Sequence, residues 1–147
     1  MQTDYIIISP TYNDGEFITR TIESVVKQSI LPKLWLFVDD GSTDESSRII
    51  SEYADKHPWI KMIANEKKSH EFGEHVYDAF QSAMNHVNIY QYSYIAKLDT
   101  DLDIDSPTYF EELLRLFDSI PKLGITGGTI YFEDNGSITI ENALDSW

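Results

Sequence analysis

Three short apolar runs that each end abruptly at a polar loop limit what this chain can fold into more than any other feature. Tyr5-Ile6-Ile7-Ile8 gives way to Ser9-Pro10, and Leu34-Trp35-Leu36-Phe37-Val38 gives way to Asp39-Asp40-Gly41-Ser42-Thr43-Asp44. The third, Tyr92-Ser93-Tyr94-Ile95-Ala96-Lys97-Leu98, runs into Asp99-Thr100-Asp101-Leu102-Asp103-Ile104-Asp105. Apolar runs of this length, continuous rather than alternating, suit strands covered on both faces. Between them, Ile18, Ile22, Val25 and Val26 fall at i, i+4, i+7 and i+8, and Ile49, Ile50, Tyr53 and Ala54 form a second such face. Strands alternating with helices predict an α/β fold: a mostly parallel sheet with helices on both faces.

Local signals set the expected boundaries. The first helix should run from Glu16 to near Gln28, capped by Asn13 or Asp14, and the second should start at the capping-box pair Ser42 and Glu45. Ile60 to Ala64 reads as a third strand, and Val76, Phe80, Ala83 and Val87 share the face of a third helix. After the buried strand at 92–98, Ser106-Pro107 supplies a cap and a first-turn proline for a helix carrying Tyr109, Phe110, Leu113, Leu114 and Phe117. Residues 123–125 and 129–132 read as strands broken by Gly127-Gly128. Asp134-Asn135-Gly136-Ser137 is a turn signal before Ile138 to Ile140. This last third is expected to seal the sheet.

With 147 residues and 41% apolar side chains, one domain with a real core is expected. The 11 basic residues against 25 acidic ones give a formal charge of −14, which speaks against nucleic acid as a partner. An anionic ligand therefore needs a metal ion or a local basic patch. The absence of cysteine excludes disulfides and thiolate metal sites and permits a reducing compartment; the expectation is the cytoplasm. No apolar run approaches the ~20 residues of a membrane span.

In a parallel sheet, ligands gather beyond the carboxyl ends of the strands, so the loops after Ile8, Val38 and Leu98 are expected to share one rim. Asp99-x-Asp101 there offers two carboxylates. That suits a Mg2+-type ion, which takes most of its remaining ligands from water and phosphate. A calcium loop fails on spacing: its sixth position would be Ile104 where glycine belongs, and its twelfth Phe110 where a glutamate belongs. Asp39 and Asp40 can accept the N3–H of uracil or bond ribose hydroxyls, whereas cytosine has no N3–H; guanine also offers ring N–H donors and stays open. Equally, Asp40 and Ser42 could simply shape the turn and cap the helix. Lys67-Lys68 and His70 form the one dense basic patch, suited to phosphate or simply solvated. The four histidines have no i, i+3 or i, i+4 pair for a helical zinc site, and Trp35 and Trp59 read as core or half-buried.

Taken together, Ser9-Pro10-Thr11-Tyr12-Asn13, Val38-Asp39-Asp40-Gly41-Ser42-Thr43-Asp44 and Leu98-Asp99-Thr100-Asp101 resemble the family 2 glycosyltransferases of the GT-A fold, in order and across essentially the whole chain. The resemblance implies inverting transfer from a nucleotide-sugar donor, commonly UDP-linked, to an acceptor hydroxyl that it does not identify, with Mn2+ or Mg2+ on the diphosphate. It places Pro10, Thr11 and Tyr12 around base and ribose, Asp39 and Asp40 at uracil or ribose, and Lys67 near the phosphates. Asp99 and Thr100 fall at the donor, and Asp99 and Asp101 at the metal.

The chain departs from the family in two ways. Glu133, Asp134, Glu141 and Asp145 match no motif for the base that deprotonates the acceptor, so that base and the acceptor half are expected outside these 147 residues, in a longer enzyme. The glycine- and alanine-rich segment before the D-x-D is reduced to Gly73 and Ala79. Two other classes stay in view. A sugar nucleotidyltransferase would place a glycine-rich, basic loop after strand one, but here no lysine or arginine occurs before Arg20. A non-catalytic nucleotide-sugar module would need no acceptor half.

Overall fold

Ile6, Ile7 and Ile8 are wholly buried because the strand they form, β1 (Tyr5–Thr11), is covered on both faces and paired on both edges. The computed structural model describes residues 3–65 and 74–140, with backbone alone for 74–76. β1 is followed by α1 (Ile18–Val26), β2 (Leu34–Asp39), α2 (Ser46–Lys56), β3 (Ile60–Ala64), α3 (Glu74–His86), a 3-10 turn (Ile89–Gln91), β4 (Tyr94–Lys97) and α4 (Tyr109–Ser119). The four strands are parallel in the order β3-β2-β1-β4. The chain thus steps outward from β1 to β3 and then crosses back, leaving a topological switch between β1 and β4.

Side chains alternate across the sheet and sort the core into two layers. Tyr5, Ile7, Trp35 and Phe37 pack with Ile18, Ile22 and Val25 of α1, Ile50 of α2, and Phe110 and Leu114 of α4. Ile6, Ile8, Leu36 and Val38 meet Ala79 and Ala83 of α3 on the other face. One polar relay crosses this interior. The buried Trp35 Nε1–H donates to Ser9 Oγ (2.9 Å), and Ser9 Oγ donates to the Leu98 carbonyl (2.5 Å). Left without Ser9, the indole N–H would be an orphaned buried donor costing about 1–3 kcal/mol. The relay also pins the chain just before Asp99.

Several local expectations are corrected. Neither Asn13 nor Asp14 caps α1 with its side chain; the Asp14 carbonyl instead receives the amides of Phe17 and Ile18, and the helix starts at Ile18. The Ser42–Glu45 box does not form, because α2 starts at Ser46 and the Ser46 amide is taken by Asp44 Oδ1 (3.0 Å). Ser106 Oγ accepts the Thr108 amide, and α4 begins two residues beyond Pro107.

β4 is not buried along its length. It pairs with β1 alone among the described residues, and Ile95 is 44% exposed. Residues 123–130 contain no strand. β5 (Tyr131–Asp134) and β6 (Ser137–Ile140) form a separate exposed hairpin and do not seal the sheet. Its turn is as expected, with Asn135 and Gly136 both at positive φ, 49° and 79°, which suits a tight two-residue connection.

Candidate active site at the carboxyl rim of the sheet

Because all four strands run the same way, the loops after β1, β2 and β4 open on one rim, and hydrogen bonds tie them together. Thr11 and Asp39 are register partners at the ends of β1 and β2, and the Asp40 amide donates to the Thr11 carbonyl (2.9 Å). Asn13, held at φ 55°, donates its amide to Ser42 Oγ (3.0 Å), and its Oδ1 accepts the Thr43 amide (2.8 Å). Asp44 Oδ2 accepts the Gly15 amide at 2.8 Å, the same separation at which a Cβ on residue 15 would meet that oxygen. Glycine at 15 is what lets the two loops approach.

The decisive link crosses the switch between β1 and β4. Asp14 Oδ2 accepts both the Tyr12 amide (3.1 Å) and the Thr100 hydroxyl (2.5 Å), while the Asp14 amide donates to Ser46 Oγ (2.9 Å). The Thr100 carbonyl in turn accepts from Thr21 Oγ1 of α1 (2.8 Å). Thr100 is accordingly buried, while its neighbour Asp101 is exposed to solvent. A turn that inserts its central hydroxyl and leaves flanking carboxylates outside is well built to present acidic oxygens.

Of the residues singled out from sequence, Pro10, Thr11, Tyr12, Asp39, Asp40, Asp99, Thr100 and Asp101 all lie on this rim; Lys67, Lys68 and His70 lie outside the described residues. Tyr12 is 59% exposed, leaving ring surface available for stacking. Asp39 is already engaged, Oδ1 with the Ser42 amide (3.0 Å) and Oδ2 with Ser47 Oγ (2.9 Å), so turn-shaping is part of its work. Asp40 Oδ1 accepts Nδ2 of Asn65, the residue after β3, at 2.9 Å. Asp99 is ion-paired with Lys97.

No group of three or more histidine, cysteine or acidic side chains is placed to enclose a metal among the described residues. Asp99 and Asp101 lie two residues apart on one turn, and a cation of the Mg2+ or Mn2+ type needs only one or two carboxylates when a diphosphate and water complete its shell.

Sequence reasoning gave Asp14 only a capping role, quoted Asp44 only within its motif, and missed Asn65 as part of this rim. The strand-end rule that singled out the other loops applied equally to Asn65.

The model for the family described as Glycosyl transferase family 2 matches residues 6–142. The chain belongs to that family. The minor teichoic acid biosynthesis protein GgaB of Bacillus subtilis (strain 168) is 36% identical over 149 residues, covering 97% of this chain and 15% of GgaB. Poly-beta-1,6-N-acetyl-D-glucosamine synthase of Staphylococcus epidermidis is 28% identical over 131 residues, covering 86% and 28%. Among solved structures, S. aureus TarS 1-349 in complex with UDP-GlcNAc superposes with a TM-score of 0.60 at 26% identity, over 79% of this chain and 31% of that one. The mannosyltransferase PcManGT from Pyrobaculum calidifontis, in complex with GDP-Man and Mn2+, gives 0.65 at 18% identity over 80% and 33%, a likeness of fold. The fold is that of the GT-A glycosyltransferases. The family 2 chain described here spans a third or less of the length of each of these proteins. No helix among its described residues is long and apolar enough to cross a membrane.

Proposed function

We propose that this chain is the donor-binding part of an inverting glycosyltransferase that takes a sugar from a UDP-linked donor to an acceptor hydroxyl in the cytoplasm, with a divalent cation. The observation that carries the reading is the Asp14 clasp, which holds the Tyr12 loop and the Asp99-Thr100-Asp101 turn together across the β1/β4 switch. An aromatic ring and a pair of carboxylates on adjoining loops of one rim suit a ligand with a base at one end and a diphosphate at the other. The UDP-GlcNAc complex of TarS supports the choice of nucleotide.

In this reading Tyr12 offers a face to the base, and Asp40 accepts the N3–H that uracil has and cytosine lacks. Pro10 and Asp39 line the ribose side and Asp99 meets the donor beyond it, while Thr11 and Thr100, both buried, hold these loops in place from behind. Asp99 and Asp101 would hold Mn2+ or Mg2+, which when bound supplies positive charge against the departing diphosphate. A chain of net charge −14 needs such a counter-charge to accept a dianionic ligand at all, and Lys67 is placed by sequence to add one more. General-base assistance is typically worth ~10²- to 10⁴-fold. Efficient transfer therefore requires a base beyond the residues assigned here.

Calorimetry with UDP, GDP and CDP, each with and without Mn2+, tests the reading. UDP should bind best and only with the metal, and Asp99→Asn or Asp101→Asn should weaken it by about tenfold or more. Equal affinity for CDP, or binding indifferent to metal, would overturn it.

A further inference from the structure

Behind Asp40 lies a short polar chain that nothing in the donor reading uses. Asn65 Nδ2 donates to Asp40 Oδ1 at 2.9 Å, and Asn65 Oδ1 accepts the hydroxyl of Ser82, on α3, at 2.6 Å. Ser82 is 3% exposed and Asn65 9%, in the layer where α3 packs on the sheet. The Asn65 amide also donates to the Asp39 carbonyl (2.8 Å), fixing the backbone from which the side chain extends.

The order of donors and acceptors in this chain is forced. A reversed Asn65 amide would turn Oδ1 toward a carboxylate oxygen, acceptor against acceptor, so Nδ2 must face Asp40 and Oδ1 must face Ser82. The Ser82 proton then has a buried acceptor to satisfy. Removing it takes that hydrogen bond from the Asn65 amide oxygen in a site that water reaches poorly. With Nδ2–H on Oδ1, Asn65 ties one oxygen of Asp40 and so restricts the rotation of the carboxylate at the rim.

We infer that Ser82 and Asn65 are positioning residues that set the base specificity of the site by holding Asp40 as an oriented acceptor, selecting a nucleobase with a ring N–H over one with a bare ring nitrogen. The inference rests on the reading that Asp40 faces the base. Neither residue need touch the ligand. Selectivity originates in α3, on the far side of the sheet from α1, α2 and α4.

The test measures UDP and CDP affinity in Mn2+ for the 147-residue chain and its variants. Ser82→Ala should lower UDP affinity roughly three- to tenfold, as expected for one lost buried hydrogen bond, while leaving CDP nearly unchanged, so that the UDP/CDP ratio falls. Ser82→Thr, which keeps the hydroxyl, should restore the ratio. Asn65→Asp places a second carboxylate against Asp40. The pair should share a proton, giving UDP binding an added pH dependence between about pH 5 and pH 7, over and above the one the parent shows from the terminal phosphate of UDP itself.

A UDP/CDP ratio unmoved in Ser82→Ala, together with a pH profile in Asn65→Asp that matches the parent's, overturns the inference. If Ser82→Ala does not fold, the Asn65→Asp profile alone decides. UDP binding that is strong in the parent but indifferent to Asp40→Ala overturns instead the placement of Asp40 at the base, and this inference with it.

Discussion

Asp14 gathers three elements with one short side chain and its own backbone. Its Oδ2 takes the Tyr12 amide and the Thr100 hydroxyl, and its amide donates to Ser46 at the start of α2. Hydrogen bonds to an ionised group are worth about 1.5–3 kcal/mol, so losing the carboxylate should release the D-x-D turn from the tyrosine loop. Asp14→Ala is therefore expected to weaken UDP binding in Mn2+ by about tenfold or more. Its circular dichroism should stay unchanged, since α1 starts on the Asp14 carbonyl rather than its side chain. Asp14→Asn, which keeps an acceptor oxygen, should lose less. Unaltered affinity in the alanine variant would show that the clasp does not hold the site. No spacing rule identifies such a residue: its partners are 2, 32 and 86 positions away, and Asn-Asp-Gly before an apolar periodic stretch reads locally as a cap.

At the scale of elements, α2 is joined to the β1 loop by Asp44. The Ser46 hydroxyl on Oδ1 (2.6 Å), helped by the Ser46 and Gly15 amides, holds this carboxyl below its usual range. A carboxyl depressed in the folded state stabilises the fold above its unfolded value near ~3.9 and loses that contribution as pH falls through the folded value. The urea midpoint of the parent should thus drop more between about pH 5 and about pH 3 than that of Asp44→Asn. Equal drops would mean the tether carries no stability. The element pattern itself was legible because strands buried in a parallel sheet are nearly all apolar: Ile6 to Ile8 and Trp35 to Val38 advertise themselves. What was not legible depends on distant neighbours. Asn13, Asp14 and Ser42 look like local caps but are recruited across loops. The exposure of Ile95 follows from the strand order, which the run at 92–98 does not encode.

For the molecule as a whole, the two-layered sheet and the terminal hairpin differ in what they contribute. Phe132 and Ile138 are 59% and 67% exposed, whereas Ile22 is fully buried between α1 and the sheet. Replacing both hairpin residues by threonine should move the melting temperature by no more than about 2 °C, since substitutions at exposed positions usually change stability by less than about 0.5 kcal/mol. Ile22→Ala should cost roughly 2–5 kcal/mol and lower it by about 10 °C or more. A large shift from the hairpin pair would show that those strands are held by contacts beyond their own ladder. The sheet has two kinds of margin at right angles to each other: the strand tips, where the loops bearing Tyr12, Asp40 and Asp101 lie, and the long flank of β4, which pairs with no further strand among the described residues. Growth along that flank, one ribbon at a time, would leave the tips where they are. A scaffold of this shape can be enlarged along one margin without disturbing the loops gathered at the other.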